Sequence, residues 1–427
     1  MSILKDIPEL IEAGLISQET GDNIQEYYKK KGRLPSQRLF VVFGVLGAIL
    51  VGLGIILIIA HNWDELSKWT KTIFAFLPLL IGQLLCGFTL VKRKESMAWR
   101  ESASAFLFFS VGASISLVSQ IYNIPGDLGS FLFSWMLLCL PLLYVMQSSI
   151  SSLLYLAGIC YYAAETGYWS YPEAESYSYW GLLLLGLPHY YFLYKRKPGS
   201  NFMLFHNWVI PLSLLITLGI IAKDAEQLMF IAYFSLFGVF YLIGDSAFFN
   251  WQGLWSNGYK IIGSLSSVIL LLVLSFDGFW EELRDTDFLL KELIRAPEFF
   301  TSMLISLLAA ALLYLNYKGK WRKGIKPLAV TFAVFILIFM IGLSSSLAVL
   351  LVNIYVLIIS VLTIINGAKE DHLGILNYGL LILSALIMCR FFDTDLSFVM
   401  RGVLFVIVGL GFFAANYLML KKRKGNE

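Results

Sequence analysis

Residues 29–64 read KKKGRLPSQRLFVVFGVLGAILVGLGIILIIAHNWD. From Leu39 to Ala60 the stretch holds no charged side chain, and about 20 apolar residues are what a helix needs to cross the ~30 Å hydrocarbon core. Lys5, Lys29, Lys30, Lys31, Arg33 and Arg38 precede it. Basic residues before a first span hold the leading segment on the cytoplasmic side. The run is too long for the apolar region of a signal peptide and follows a polar start, so it is expected to act as an uncleaved first span.

The same template places thirteen further runs along the chain. They are Thr72 to Val91, Ala103 to Ile121, Phe131 to Met146, Ile150 to Ala164, Tyr179 to Tyr194 and Phe205 to Ala222. Leu228 to Gly244, Ile261 to Phe276, Phe299 to Tyr317, Pro327 to Gly342, Leu347 to Ile365, Leu373 to Cys389 and Phe398 to Leu420 complete the set. The expected fold is all-α, a polytopic transmembrane bundle of about fourteen spans. Composition agrees. Only 14% of residues are charged and 58% are hydrophobic, where a soluble domain carries about a quarter charged residues to cover its surface. Runs such as Val268 to Leu274 do not alternate, which argues against the strands of a β-barrel.

Orientation follows from the basic residues. With the amino terminus inside, this order of spans puts 24 Lys and Arg on the cytoplasmic side and 8 outside, together the 32 of the chain. That bias supports an even number of spans with both termini cytoplasmic. The expected location is the cell membrane, in a bacterium the inner membrane. The basic tail Lys421 to Lys424 is then an anchor on an anionic inner leaflet.

Three regions follow: 1–38, a cytoplasmic segment; 39–222, an N-terminal transmembrane region; and 223–427, a C-terminal one. Residues 1–38 read as two short amphipathic helices. Ile7, Leu10 and Ile11 stripe the first, and Gly14 closes it. Ser17 opens the second, with Ile24 and Tyr27 on one face. The outside loop from Asp277 to Glu298 is acidic and aromatic, with a short interfacial helix expected around Phe288 to Ile294.

Little in the chain points to soluble-type chemistry. Cys86, Cys139, Cys160 and Cys389 all fall inside apolar runs without metal-ligand or redox spacing. No phosphate-binding glycine loop, dinucleotide fingerprint, nucleophile elbow or zinc-protease helix occurs. No metal, no cofactor and no nucleic-acid partner is expected; the lipid bilayer is the one sure partner. The spans carry almost no ionisable residue, and His189 and His206 lie close enough to Lys195-Arg196-Lys197 to reach the interface. Polar side chains within spans, among them Ser110, Ser114 and Asn353, are expected to bond between helices at ~0.6 kcal/mol each.

Four features resemble the predicted bacterial membrane proteins grouped as domain of unknown function 2157. They are Leu10 to Ser17; the glycine-rich first span ending in Ala60-His61-Asn62-Trp63-Asp64; Ser119 to Asp127; and Ser134 to Leu142 directly after. The resemblance covers roughly residues 5–165. It implies a membrane architecture and carries no activity.

One polar constellation stands out, and it faces outward. His61, Asn62, Trp63 and Asp64 end the first span; Tyr122, Asn123 and Asp127 follow the third. Packed together, two carboxylates and a histidine can bind a cation or serve as acid and base. The plainer reading makes Trp63 an interface anchor, Asp64 a helix-ending or capping residue, and residues 125–127 a turn. No catalytic residue can be assigned from these residues, and whether the chain is an enzyme stays open. The favoured function is a transporter or flippase of a small amphipathic or lipid-linked molecule. The alternatives are a membrane-embedded enzyme using the outward carboxylates, and a structural or sensing protein that docks a cytoplasmic partner through residues 1–38. Oligomeric state is not legible.

Overall fold

A computed structural model describes residues 3–32, 65–169, 177–223, 225–249, 254–285, 295–318 and 325–391, with single helical positions among 42–53 and 398–413. The described residues are helical throughout and include no strand. Most of the first and last expected spans, and all of the helix expected at Phe288 to Ile294 and of the basic tail, lie outside the described residues.

The other twelve apolar runs all fall on helices. Within the described residues, eight helices are long and apolar enough to cross a membrane, or nine if one bent pair counts as a single span. The count of about fourteen is therefore not reached on these criteria. Two helices are too short for these criteria: Ser149–Ala164 has 16 residues and Thr331–Gly342 has 12, the second at 1.5 Å each falling far short of ~30 Å. Another, Tyr177–Arg196, is long enough, but its tyrosines, His189 and terminal basic pair dilute the apolar run.

The chain forms two compact units, Met1–Pro198 and Gly199–Glu427. The sequence division after residue 222 comes one helix later. The difference arises because Asn201–Leu218 packs on helices of the second unit.

The first unit opens with α1 (Ile3–Glu12) and α2 (Gln18–Gly32). Their junction follows the sequence reading. Gly14 takes φ +69°, which glycine adopts without strain. The Ser17 hydroxyl accepts the Thr20 amide at 3.2 Å, and Ile7 is buried between the helices. The bundle proper comprises α3 (Lys68–Lys92), α4 (Met97–Tyr122), α5 (Leu128–Val145), α6 (Ser149–Ala164) and α7 (Tyr177–Arg196). A π-helical turn, Glu165–Trp169, extends α6. Successive helices pack against each other, α3 on α4 most extensively. Ser114 donates to the Ala75 carbonyl at 2.6 Å, Trp135 Nε1 to Phe108 at 2.8 Å, and Tyr155 to Leu182 at 2.8 Å. Ser110 instead bonds back to Phe106 of its own helix. Small hydroxyls in a helix have both options.

The second unit holds α8 (Asn201–Leu218), α9 (Met229–Gly244), α10 (Gly258–Val273), α11 (Gly278–Asp285), α12 (Pro297–Tyr317), α13 (Thr331–Gly342), α14 (Leu347–Lys369) and α15 (Leu373–Phe391). Its axis is α9, apolar on every face. Such a helix must be central or lipid-covered, and here it packs on α8, α10, α12 and α13. Close approach needs small residues. A Cβ on Gly263 would lie 2.6 Å from the Tyr241 nitrogen, so only glycine lets α10 seat against α9.

The pair α10–α11 is bent by 75° across the break at Leu274–Asp277. The short helix α11 falls in the stretch from Asp277 to Glu298, at a place where no helix was expected. Its stripe of Phe279, Trp280 and Leu283 is interleaved with Glu281, Glu282 and Arg284, which hides it from a hydropathy reading. Trp280 and Leu283 are buried, and a Cβ on Gly342 of α13 would lie 2.3 Å from the Trp280 ring.

Candidate functional site

Of the outward constellation, His61, Asn62, Trp63 and Asp64 lie outside the described residues. Tyr122, Asn123 and Asp127 sit on the connection from α4 to α5. Asn123 ends α4 in the left-handed conformation, φ 51° and ψ 43°, which asparagine tolerates better than most residues. The Ile124 amide returns to the Ser119 carbonyl at 2.9 Å, and the Ser119 hydroxyl donates to Ile124 at 2.9 Å. Tyr122 reaches across to Thr72 of α3, its hydroxyl 3.1 Å from the threonine oxygen.

Asp127 is the N-cap of α5. One carboxylate oxygen accepts the Ser130 amide and the other its hydroxyl, each at 2.8 Å. These two bonds, the amide first, hold its pKa below the usual carboxylate value. A carboxylate at a helix start also meets the positive end of the helix dipole. Next to it, a Cβ on Gly129 would lie 2.8 Å from Thr166 in the turn after α6. The three residues thus share one outer edge with the α6 turn, and Asp127 has a complete structural role there while remaining exposed.

Two other carboxylates carry more of the structure, and the sequence reading passes over both. Glu101 lies inside α4, because that helix starts six residues before the expected span, and it is 1% exposed. It accepts from the Ser148 hydroxyl at 2.6 Å, the Ser149 amide at 3.1 Å and the Ile150 amide at 2.9 Å. Those donors form the start of α6, whose first amides have no partner within the helix. The hairpin of α5 and α6 is tight: Gln147 takes φ 49°, and Ser148 caps α6 by accepting the Ser151 amide at 3.1 Å. Ser149 and His189 of α7 stand 3.3 Å apart, and Ser104 and Ser151 2.6 Å apart. A buried hydroxyl, carboxylate and imidazole network therefore ties α4, α6 and α7. The signal in the sequence was the serine run at the hairpin, which needs an acceptor.

Glu298, in the first turn of α12, is fully buried. It accepts the backbone amides of Lys223 and Ala225 and so fixes the connection from α8 to α9. His206 is buried too, its ring donating to Phe202 at 2.7 Å. Both histidines are thus buried, each within its own unit, on the inward faces of α7 and α8. Among the described residues, no group of three or more His, Cys, Asp or Glu stands close enough to hold a metal ion.

The class these features define is a multi-pass helical membrane protein. One family model, described as "Predicted membrane protein (DUF2157)", matches residues 8–152. That stretch runs from α1 to the first turn of α6 and agrees with the resemblance seen in the sequence. It contains the outward constellation together with Glu101 and its three donors. The description names no activity. No curated protein and no solved structure matches the chain.

Proposed function

We propose that the chain is a carrier of about fourteen spans, both termini cytoplasmic, that moves or flips a small amphipathic or lipid-linked molecule. The observation that supports this reading is the broken helix pair α10–α11. Backbone groups freed at a break within a membrane must find partners in the protein, and holding them takes dedicated side chains. Here Asn353 Nδ2 donates to the Ser275 carbonyl at 3.0 Å, and Trp280 Nε1 to the Leu274 carbonyl at 2.8 Å. Arg390 donates to the Ser275 hydroxyl at 3.0 Å and stacks on Phe276 at 4.4 Å. Carriers often bind their cargo at discontinuous helices, and on the orientation read from the basic residues this break lies at the outer end of α10.

The test is reconstitution of the full chain into liposomes, with fluorescent short-chain phospholipids followed across the bilayer. Flux above protein-free vesicles, lowered by Arg390→Gln, supports the reading; flux equal to protein-free vesicles for every such lipid counts against it.

A membrane-embedded enzyme is the second reading, favoured by the exposure of Asp127. On that reading His61, Asn62, Trp63, Asp64, Tyr122, Asn123 and Asp127 share an outward site. Full complementation of the deletion phenotype by both Asp64→Asn and Asp127→Asn would remove it. A docking role for residues 1–38 draws on the helical pair α1–α2 and on Leu15 at its exposed turn; a pull-down with the full chain tests it.

A further inference from the structure

At the end of α9, Asp245 Oδ1 accepts from two lysines at once, Lys260 Nζ at 2.7 Å and Lys326 Nζ at 2.6 Å. Lys260 lies in the first turn of α10, and Lys326 directly precedes the short turn leading to α13. One carboxylate offsets one of the two charges. Because they share a single oxygen, the ammonium groups stand within two hydrogen-bond lengths of each other, and like charges that close repel.

The remaining surroundings are mostly aromatic. The Tyr241 ring lies 5.6 Å from Lys260 Nζ, and the Tyr317 hydroxyl accepts the Lys326 amide at 3.4 Å. Glu370, exposed at the end of α14, acts electrostatically on Tyr241. The Asp245 side chain is 12% exposed, against 31% for Lys260 and 45% for Lys326. The carboxylate is therefore sunk behind the two lysines. Each ammonium has three donors and gives one to Asp245, and both lysine side chains are partly exposed.

We infer that Lys260 and Lys326 bind the phosphate of an anionic phospholipid headgroup, with Asp245 behind them competing for the same two ammonium groups. A tetrahedral phosphate offers oxygens to both ammonium groups and supplies the second negative charge the pair lacks. The orientation from the basic-residue bias puts this end of α9, α10 and α13 at the inner leaflet, whose anionic lipids attract such clusters. The inference rests on that orientation and not on the carrier reading.

The experiment is thermal unfolding of the purified full chain in nonionic detergent with added phosphatidylglycerol, phosphatidylcholine or inorganic phosphate. Phosphatidylglycerol should raise the midpoint by more than phosphatidylcholine, and Lys260→Gln with Lys326→Gln should remove the excess. Asp245→Asn, which takes away the competing carboxylate, should enlarge it. An excess that survives in the double variant overturns the site, as does equal stabilisation by the two lipids. Stabilisation by inorganic phosphate equal to that by phosphatidylglycerol overturns the lipid assignment, and an unchanged or smaller excess in Asp245→Asn contradicts the geometry. Should the double variant fail to fold, Lys326→Gln alone decides, read by native mass spectrometry as retention of phosphatidylglycerol against excess phosphatidylcholine. Retention equal to the unmodified chain overturns the site.

Discussion

The two units solve the same problem with different means. In the first, polar side chains link the helices, and their densest network sits at the hairpin around Glu101. In the second, one almost wholly apolar helix forms the axis, glycine permits its closest contact, and besides a mid-helix Ser235–Ser306 hydrogen bond of 2.7 Å most polar links lie at the broken helix and at helix ends. Lipid offers helices no hydrophobic drive toward each other, so association must come from packing and hydrogen bonds. The first unit weights the hydrogen bonds and the second weights the packing. Each unit nevertheless buries one carboxylate to pin a connection between helices.

This contrast makes the first unit the one that depends on a single side chain. Glu101→Ala is expected to give the largest loss of stability, on the order of 3 kcal/mol, since three donors lose their buried acceptor. Glu101→Gln should recover part of it; unfolding of the purified chain in mixed detergent micelles measures both. Gly263→Ala should come next, at about 1–3 kcal/mol by overpacking, because the new methyl meets the backbone of α9. An equal cost for Gly82→Ala, which meets Leu107 between α3 and α4, would show that packing governs both units alike.

Glu298→Ala should also destabilise, because the Lys223 and Ala225 amides lose their acceptor; a larger loss than for Glu101→Ala would reverse the comparison. Asp127 gives the smallest effect. Its folded pKa is lowered, so its contribution is present above the ordinary carboxylate range and fades as pH falls through the depressed value. Asp127→Asn keeps a capping oxygen and should flatten that acid limb, read as the midpoint of unfolding against pH.

Much of the fold was legible because burial in lipid selects long apolar runs, and periodicity with Gly14 and Ser17 marked the helical pair at the start. What escaped depended on distance in the chain. Glu101 looked like a loop residue until its donors, 47 to 49 positions away, came into reach. Glu298 is the same case. Hydropathy registers which stretch prefers lipid and is blind to where a helix breaks, so α11, with Trp280 turned inward among acidic neighbours, escaped too. At residues 122–127 the cap that Asp127 places on the next helix was not legible: the plainer reading gave residues 125–127 to a turn and the capping role to Asp64.

The orientation underlies the inner network, the lipid site and the outward face alike. Single cysteines at Gly126, Ser344, Glu95 and Glu370, in a chain with Cys86, Cys139, Cys160 and Cys389 replaced, test it by labelling intact cells with a membrane-impermeant maleimide. Gly126→Cys and Ser344→Cys should label from outside, and Glu95→Cys and Glu370→Cys only after permeabilisation. Labelling of Glu95→Cys or Glu370→Cys in intact cells would contradict the account.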